Sequence, residues 1–253
     1  MKIYDYIIEK IEKNGTLHMT LIDPDEYSPE EATRLSTLAE KHGSAAIMVG
    51  GSGVDLEATD ACVKAIKTRV KLPVILFPGN VTGISKYADA IFYMSLLNSR
   101  SNYWLSLAQA LGTYAVSKTN LEVIPMGYLI IESGKKTSVE FYGDANAIPK
   151  NKPKIAMAFS LAAQYMGMKL VYLEAGSGAL EPVSNEMIQT VKKAINVPLI
   201  VGGGIRDGKT AYEKAKAGAD IIVTGTIFEK CDNNEEKLKN ILDGIKKAGK
   251  ERR

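Results

Sequence analysis

Cysteine is nearly missing from this sequence: Cys62 and Cys231 are the only two, far apart along the chain. That excludes a disulfide framework or a cysteine-built metal site and fits free thiols in a reducing compartment. Histidine is equally scarce. His18 falls inside an apolar strand pattern and His42 at a helix end, so neither is a good catalytic candidate. A strong charge imbalance is also lacking. The formal net charge of +3 argues against a polyanionic partner such as nucleic acid. No apolar run reaches the roughly 18 residues of a membrane span. The opening MKIYDYIIEKIEKNG reads as an amphipathic helix ending at Gly15, without a signal core. These absences predict a soluble, cytoplasmic protein with no integral membrane segment.

What is present is a long alternation. With 253 residues and 45% hydrophobic content, the chain can bury a large core. Apolar runs at Leu17–Ile22, Ala45–Val49, Pro73–Phe77, Ala90–Met94, Met126–Ile131, Leu170–Leu173, Pro198–Val201 and Asp220–Thr224 read as strands covered on both faces. Helical patterns fill nearly all the gaps. Ser28, Pro29 and Glu31 give one an N-cap, an N1 proline and a capping-box acid. Others cover about 55–69, 103–117, 153–168, 184–195, 208–217 and 235–248. Only a dozen or so residues separate strands three and four, too few for a full crossover helix. Pro125 is expected at the start of strand five, where a missing N–H is tolerated. Glu132–Pro149, long, polar and Gly-bearing, has the form of a lid or a disordered segment. Eight such units predict a single domain, a (β/α)8 TIM barrel with a degenerate third helix; a doubly wound open sheet is the fallback.

Such a barrel delivers every strand's C-terminal end to one face, where active sites lie. The groups expected there are Asp23, Asp25, Ser52, Asn80, the stretch Ser95–Arg100, Glu132, Glu174, Ser177, Gly203, Gly204, Gly225 and Thr226. Three strands stop at Gly-rich turns: LVYLEAGSG at 170–178, VGGGIR at 201–206 and VTGTIF at 223–228. Bare backbone N–H groups at strand ends make a phosphate cradle. The plainer reading, tight turns and nothing more, would suffice for one of them but not for three at matching positions. Glu174, set beside an anion pocket, suits taking a proton from a substrate hydroxyl; a salt bridge across the mouth is its plainer alternative. Asp23 is a hard oxygen donor fit for magnesium shared with substrate phosphates, and Ser52 could add a neutral oxygen. Asp25 more simply caps its turn. Trp104 and Tyr103 pack under a helix or at a subunit contact.

The ordered set LIDPDE, GGS, LFPGN, YMSLLNSR, YLEAGSGA, VGGGIR and VTGTIFE, from about Thr16 to Glu229, resembles the archaeal geranylgeranylglyceryl phosphate synthases. They belong to a superfamily shared with heptaprenylglyceryl phosphate synthases. The resemblance implies transfer of geranylgeranyl from its diphosphate to the 3-hydroxyl of sn-glycerol 1-phosphate, with loss of diphosphate, as the first ether bond of archaeal membrane lipid. It implies a Mg2+ site at Asp23 and Ser52. It also implies a glycerol phosphate site at Tyr172, Leu173, Glu174, Ala175, Gly176, Ser177, Gly178, Gly203, Gly204, Gly225 and Thr226, with Glu174 orienting or deprotonating the glycerol hydroxyl. Such barrels lack a regular third helix, and an aromatic at Trp104 resembles the branch that forms hexamers, so a homo-oligomer, hexamer or dimer, is expected. The prenyl tail needs an apolar groove over the helix around Ala108–Ala115 and the end of strand four. Three rivals share these motifs: a heptaprenylglyceryl phosphate synthase, a phosphate-binding barrel isomerase or indole-type synthase, and a non-catalytic phosphate-binding protein.

Overall fold

The computed structural model describes residues 1–51, 53, 55–225 and 234–252. Ser52 and Thr226, expected at the metal and phosphate sites, lie outside the described residues, as does Cys231. Eight parallel strands close into a barrel in sequence order: β1 Leu17–Ile22, β2 Ala46–Val49, β3 Val74–Leu76, β4 Ala90–Leu96, β5 Glu122–Ile130, β6 Leu170–Glu174, β7 Leu199–Gly202 and β8 Ile221–Thr224. β8 closes on β1 with Leu17 opposite Ile221. The open-sheet fallback is thereby excluded.

Strand alternation sorts side chains into two layers. Met19, Met48, Ile75, Phe92, Met126, Tyr172, Ile200 and Val223 fill the interior. Ile22, Val49, Leu76, Val171, Leu173, Val201 and Ile222 face outward and pack with the helices. These helices are α1 Ile3–Asn14, α2 Pro29–His42, α3 Leu56–Lys67, α4 Ala108–Val116, α5 Ser138–Tyr142, α6 Pro153–Tyr165, α7 Asn185–Ala194, α8 Gly208–Ala217 and α9 Asn234–Arg252. Helix α1 plugs the N-terminal end of the barrel: its Ile7 is fully buried in the interior layer. The Glu122 carboxylate accepts the N–H groups of Ile3 and Tyr4 there, setting a negative charge at the positive end of that helix. None of the described helices is long and apolar enough to cross a membrane.

Four sequence expectations meet the structure instructively. Between β3 and β4 only a short 3-10 turn, 81–83, stands in place of a helix, so the outer face of β4 lacks its usual cover. Pro125 lies inside β5, not at its start. The N–H and C=O of one strand residue point to the same side, and the Pro125 carbonyl accepts from Lys169, just before β6 begins. The missing donor therefore faces a place where no ladder exists. The single helix expected over 103–117 begins instead with a wide π turn, Tyr103–Leu107. Side chains hold it open: Gln109 Nε2 donates to the carbonyls of Met94 and Trp104, and Ser95 Oγ to that of Leu105. The 132–149 segment is an ordered lid carrying α5. Ser99 bridges Ala145, Ile131 bridges Ile148, and the Asn98 amide donates to the Ile130 and Asn146 carbonyls.

Candidate active site

Three side chains on alternating positions of β6, Leu170, Tyr172 and Glu174, point along the barrel interior toward the C-terminal mouth. Glu174 is the last of them, 6% exposed. Its Oε1 accepts the Gly176 N–H at 2.5 Å, and the Tyr172 hydroxyl also donates to the carboxylate. Burial pushes the Glu174 carboxyl above the usual range, and those two hydrogen bonds only partly offset it. Tyr172 and Tyr128 are driven well above ordinary phenols, first by burial and then by the neighbouring carboxylate. Both stay neutral, so Tyr172 remains a donor. Phe77 completes a floor with them, its ring centroid 5.5 Å from that of Tyr128 and 5.7 Å from that of Tyr172.

The Gly-rich turns after β6 and β7 meet around this carboxylate, and Gly225, just after β8, lines the same cavity. At Gly203, with φ +81°, an added Cβ would lie 2.6 Å from Glu174 Oε1 and 2.7 Å from the Gly176 nitrogen, so only glycine lets the β7 turn approach. Among the described residues, the N–H groups of Ser177, Gly178, Gly203 and Gly204 have no protein acceptor. Four undirected donors at one rim are what an anion needs. Not every residue of the 172–178 run contributes in this way. Leu173 and Ala175 turn their side chains outward into the helix layer, and the Ala175 N–H is engaged by the Gly202 carbonyl. Gly176 serves Glu174.

Asp23 stands at the end of β1 and lines the same cavity as Glu174, Ser177 and Gly225. Its Oδ1 accepts the Asp25 N–H at 3.0 Å. A Cβ on Gly51 would collide with the Asp23 carboxylate, so the β2 turn is bare where that group needs room. Among the described residues no three His, Cys, Asp or Glu side chains converge on a cation position. One carboxylate at a cavity mouth does not make an all-protein metal cage; it suits magnesium held jointly with substrate phosphate oxygens.

The cavity, about 310 Å³, does not stop at the mouth. It passes Phe77 and Met94 and continues where the helix between β3 and β4 is missing, between Val81 and Ile84 on one side and Ala108 and Gly112 on the other. Ile91 and Tyr93, outward-facing residues of β4, line it there. An anion-binding mouth thus opens into an apolar trough.

Several expected rim groups have other tasks. Asn80 Oδ1 accepts from Val81 N–H and the Tyr103 hydroxyl. Asn98, Ser99 and Arg100 fasten the lid, the last through Asp144 at 2.7 Å. Asp25 lines a separate cleft with Asp55 and Glu57, and exposed Glu132 lies off the cavity. His18 is fully enclosed, bonded to Ser44 and Thr224 at 2.7 Å each. The sequence reading missed Phe77 and Tyr128. Their signal was available: both sit on inward positions near strand ends.

A closed parallel barrel with free amides around a buried carboxylate defines a phosphate-binding TIM-barrel enzyme. Within that class, the chain belongs to the PcrB family, which it matches over residues 7–245. The geranylgeranylglyceryl phosphate synthase of Pyrococcus furiosus is 58% identical over 243 residues, 96% of each chain. The crystal structure of the (S)-3-O-geranylgeranylglyceryl phosphate synthase from Thermoplasma acidophilum, in complex with its substrate sn-glycerol 1-phosphate, is 43% identical. It matches with a TM-score of 0.93 over 98% of this chain and 99% of that one. The wild-type enzyme from Thermoplasma volcanium gives the same TM-score at 48% identity, over 98% of each chain.

Proposed function

We propose that this protein is a prenyltransferase that joins geranylgeranyl diphosphate to the 3-hydroxyl of sn-glycerol 1-phosphate, releasing diphosphate. The observation that carries this is the shape of one cavity. Asp23 and Glu174 both line it, and from that polar end the cavity continues into an apolar trough. A small anionic acceptor and a long apolar donor need such an arrangement.

The free amides of Ser177, Gly178, Gly203 and Gly204 hold the phosphate, while Glu174 receives the proton of the attacking hydroxyl. The bond from the prenyl C1 to diphosphate breaks, its electron pair leaving with diphosphate. The bond from C1 to the glycerol oxygen forms. Gly176 and Tyr172 fix the carboxylate, so no reorientation is needed during the step. Its raised pKa makes it a better proton acceptor near neutrality than an exposed carboxylate would be. Asp23 would hold Mg2+, which when bound supplies positive charge to the departing diphosphate. Phe77, Tyr128 and the trough walls keep water from the reacting carbon.

The test is incubation of the protein with sn-glycerol 1-phosphate, magnesium and C15, C20 and C35 prenyl diphosphates, followed by mass spectrometry of the extract. A C20 ether phosphate is expected. A C35 product would move the protein to the heptaprenyl branch, and no ether product at all would overturn the proposal.

A further inference from the structure

The lid runs beside the phosphate turn in an orderly way. The Glu181 N–H donates to the Ser133 carbonyl at 3.2 Å. A Cβ on Gly134 would lie 3.5 Å from Leu180, and one on Gly178 3.3 Å from Lys135 Nζ. A Cβ on Gly176 would lie 2.5 Å from Thr137 Oγ1. Residue numbers fall on one segment as they rise on the other, so 133–137 forms an antiparallel strap along 176–181.

Thr137 occupies the position before α5 where a threonine normally caps, yet its side chain makes no capping bond. It is 4% exposed, and its hydroxyl has no hydrogen-bond partner among the described residues. A buried hydroxyl without a partner costs free energy and calls for an explanation. The adjoining Lys135 makes no ion pair among the described residues, and its ammonium reaches the next glycine of the same turn.

We infer that the strap is a fourth wall of the phosphate site: Thr137 donates its hydroxyl hydrogen to the phosphate ester held on the Gly176–Gly178 turn, and Lys135 neutralises that phosphate from the solvent side. This rests on the glycerol phosphate assignment above. It adds a buried side-chain donor and a cation to the backbone amides of the cradle, and it couples lid closure to occupation of the turn.

The experiment measures binding of sn-glycerol 1-phosphate and of inorganic phosphate by calorimetry to the whole chain and to Thr137→Val, Thr137→Ser and Lys135→Gln. Turnover is followed with geranylgeranyl diphosphate. Thr137→Val should weaken both phosphates by about tenfold and Thr137→Ser by much less. Lys135→Gln should weaken them by about threefold and flatten the salt dependence. In each case KM for glycerol phosphate should rise while KM for the prenyl donor and the melting temperature hold. Folded Thr137→Val and Lys135→Gln proteins that bind within the error of the parent would overturn the inference, as would a Thr137→Ser no better than the valine variant. Binding of inorganic phosphate that depends on Thr137, in a protein that forms no prenyl ether, would support the strap and sink the proposed reaction instead.

Discussion

The two sides of the barrel mouth are made from opposite materials. After β6 and β7 the strands end in glycine turns that leave the amides of Ser177, Gly178, Gly203 and Gly204 without a protein acceptor among the described residues, with one carboxylate between them. From β3 to β4 the rim is Phe77, Val81, Ile84, Met94 and Trp104, and a missing helix leaves the sheet's outer face as a wall of the trough. In the proposed reaction, one side recognises charge through fixed dipoles and the other accepts hydrocarbon through shape. The lesson is that a regular barrel becomes a two-substrate enzyme by omitting an element on one side, not by adding one.

Replacing Glu174 tests the polar side most severely. Glu174→Gln keeps the shape and loses the proton acceptor; turnover should fall by roughly 10²–10⁴ while glycerol phosphate still binds, as steady-state kinetics and calorimetry would show. The same residue sets a pH signature. Its folded pKa is raised, so the carboxylate is lost as pH falls through that raised value, and the acidic limb of kcat/KM should lie above the ordinary 4.5. An acidic limb at or below 4.5 would remove Glu174 as the base.

Asp23→Ala should lower turnover by about a hundredfold at limiting magnesium and leave glycerol phosphate affinity little changed. Normal turnover under those conditions would refute the metal assignment. On the apolar side, Gly112→Leu should fill the trough, since a Cβ there already lies 3.3 Å from Ile84. KM for the C20 donor should rise about tenfold, with the acceptor's KM unmoved. Equal effects on both substrates would erase the division between the two sides.

A further effect is on stability and comes from away from the mouth. Enclosure between Ser44 and Thr224 lowers the His18 pKa to about 3, against 6.5 in the unfolded chain. Between those values the unfolded chain takes up a proton that the native state refuses. Stability present above pH 6.5 should therefore fall as pH drops toward 3, by up to about 1.4 kcal/mol per pH unit. Urea titrations of the parent and His18→Asn would isolate this contribution from that of the carboxylates.

Much of this was legible in the residues alone. The period of apolar runs set the strands, Ser28, Pro29 and Glu31 marked a helix start, and the short gap after strand three announced the missing helix. Glycine at strand ends gave away the side where two turns close on Glu174, because only a residue without Cβ lets them come so near. What composition could not carry was the direction in which groups point. Seven consecutive residues, 172–178, look alike as a motif, yet tertiary packing turns Leu173 and Ala175 away, engages the amides of Ala175 and Gly176, and leaves Ser177 and Gly178 free. The lid's order came from Asn98 and Ser99, residues distant in sequence. Pro125 was tolerable within β5 only because β6 begins one residue further along. Local chemistry decides which elements form, since propensity and periodicity act over a few residues. Where a hydrogen bond ends, and what a missing helix uncovers, depends on partners brought together only when the barrel closes.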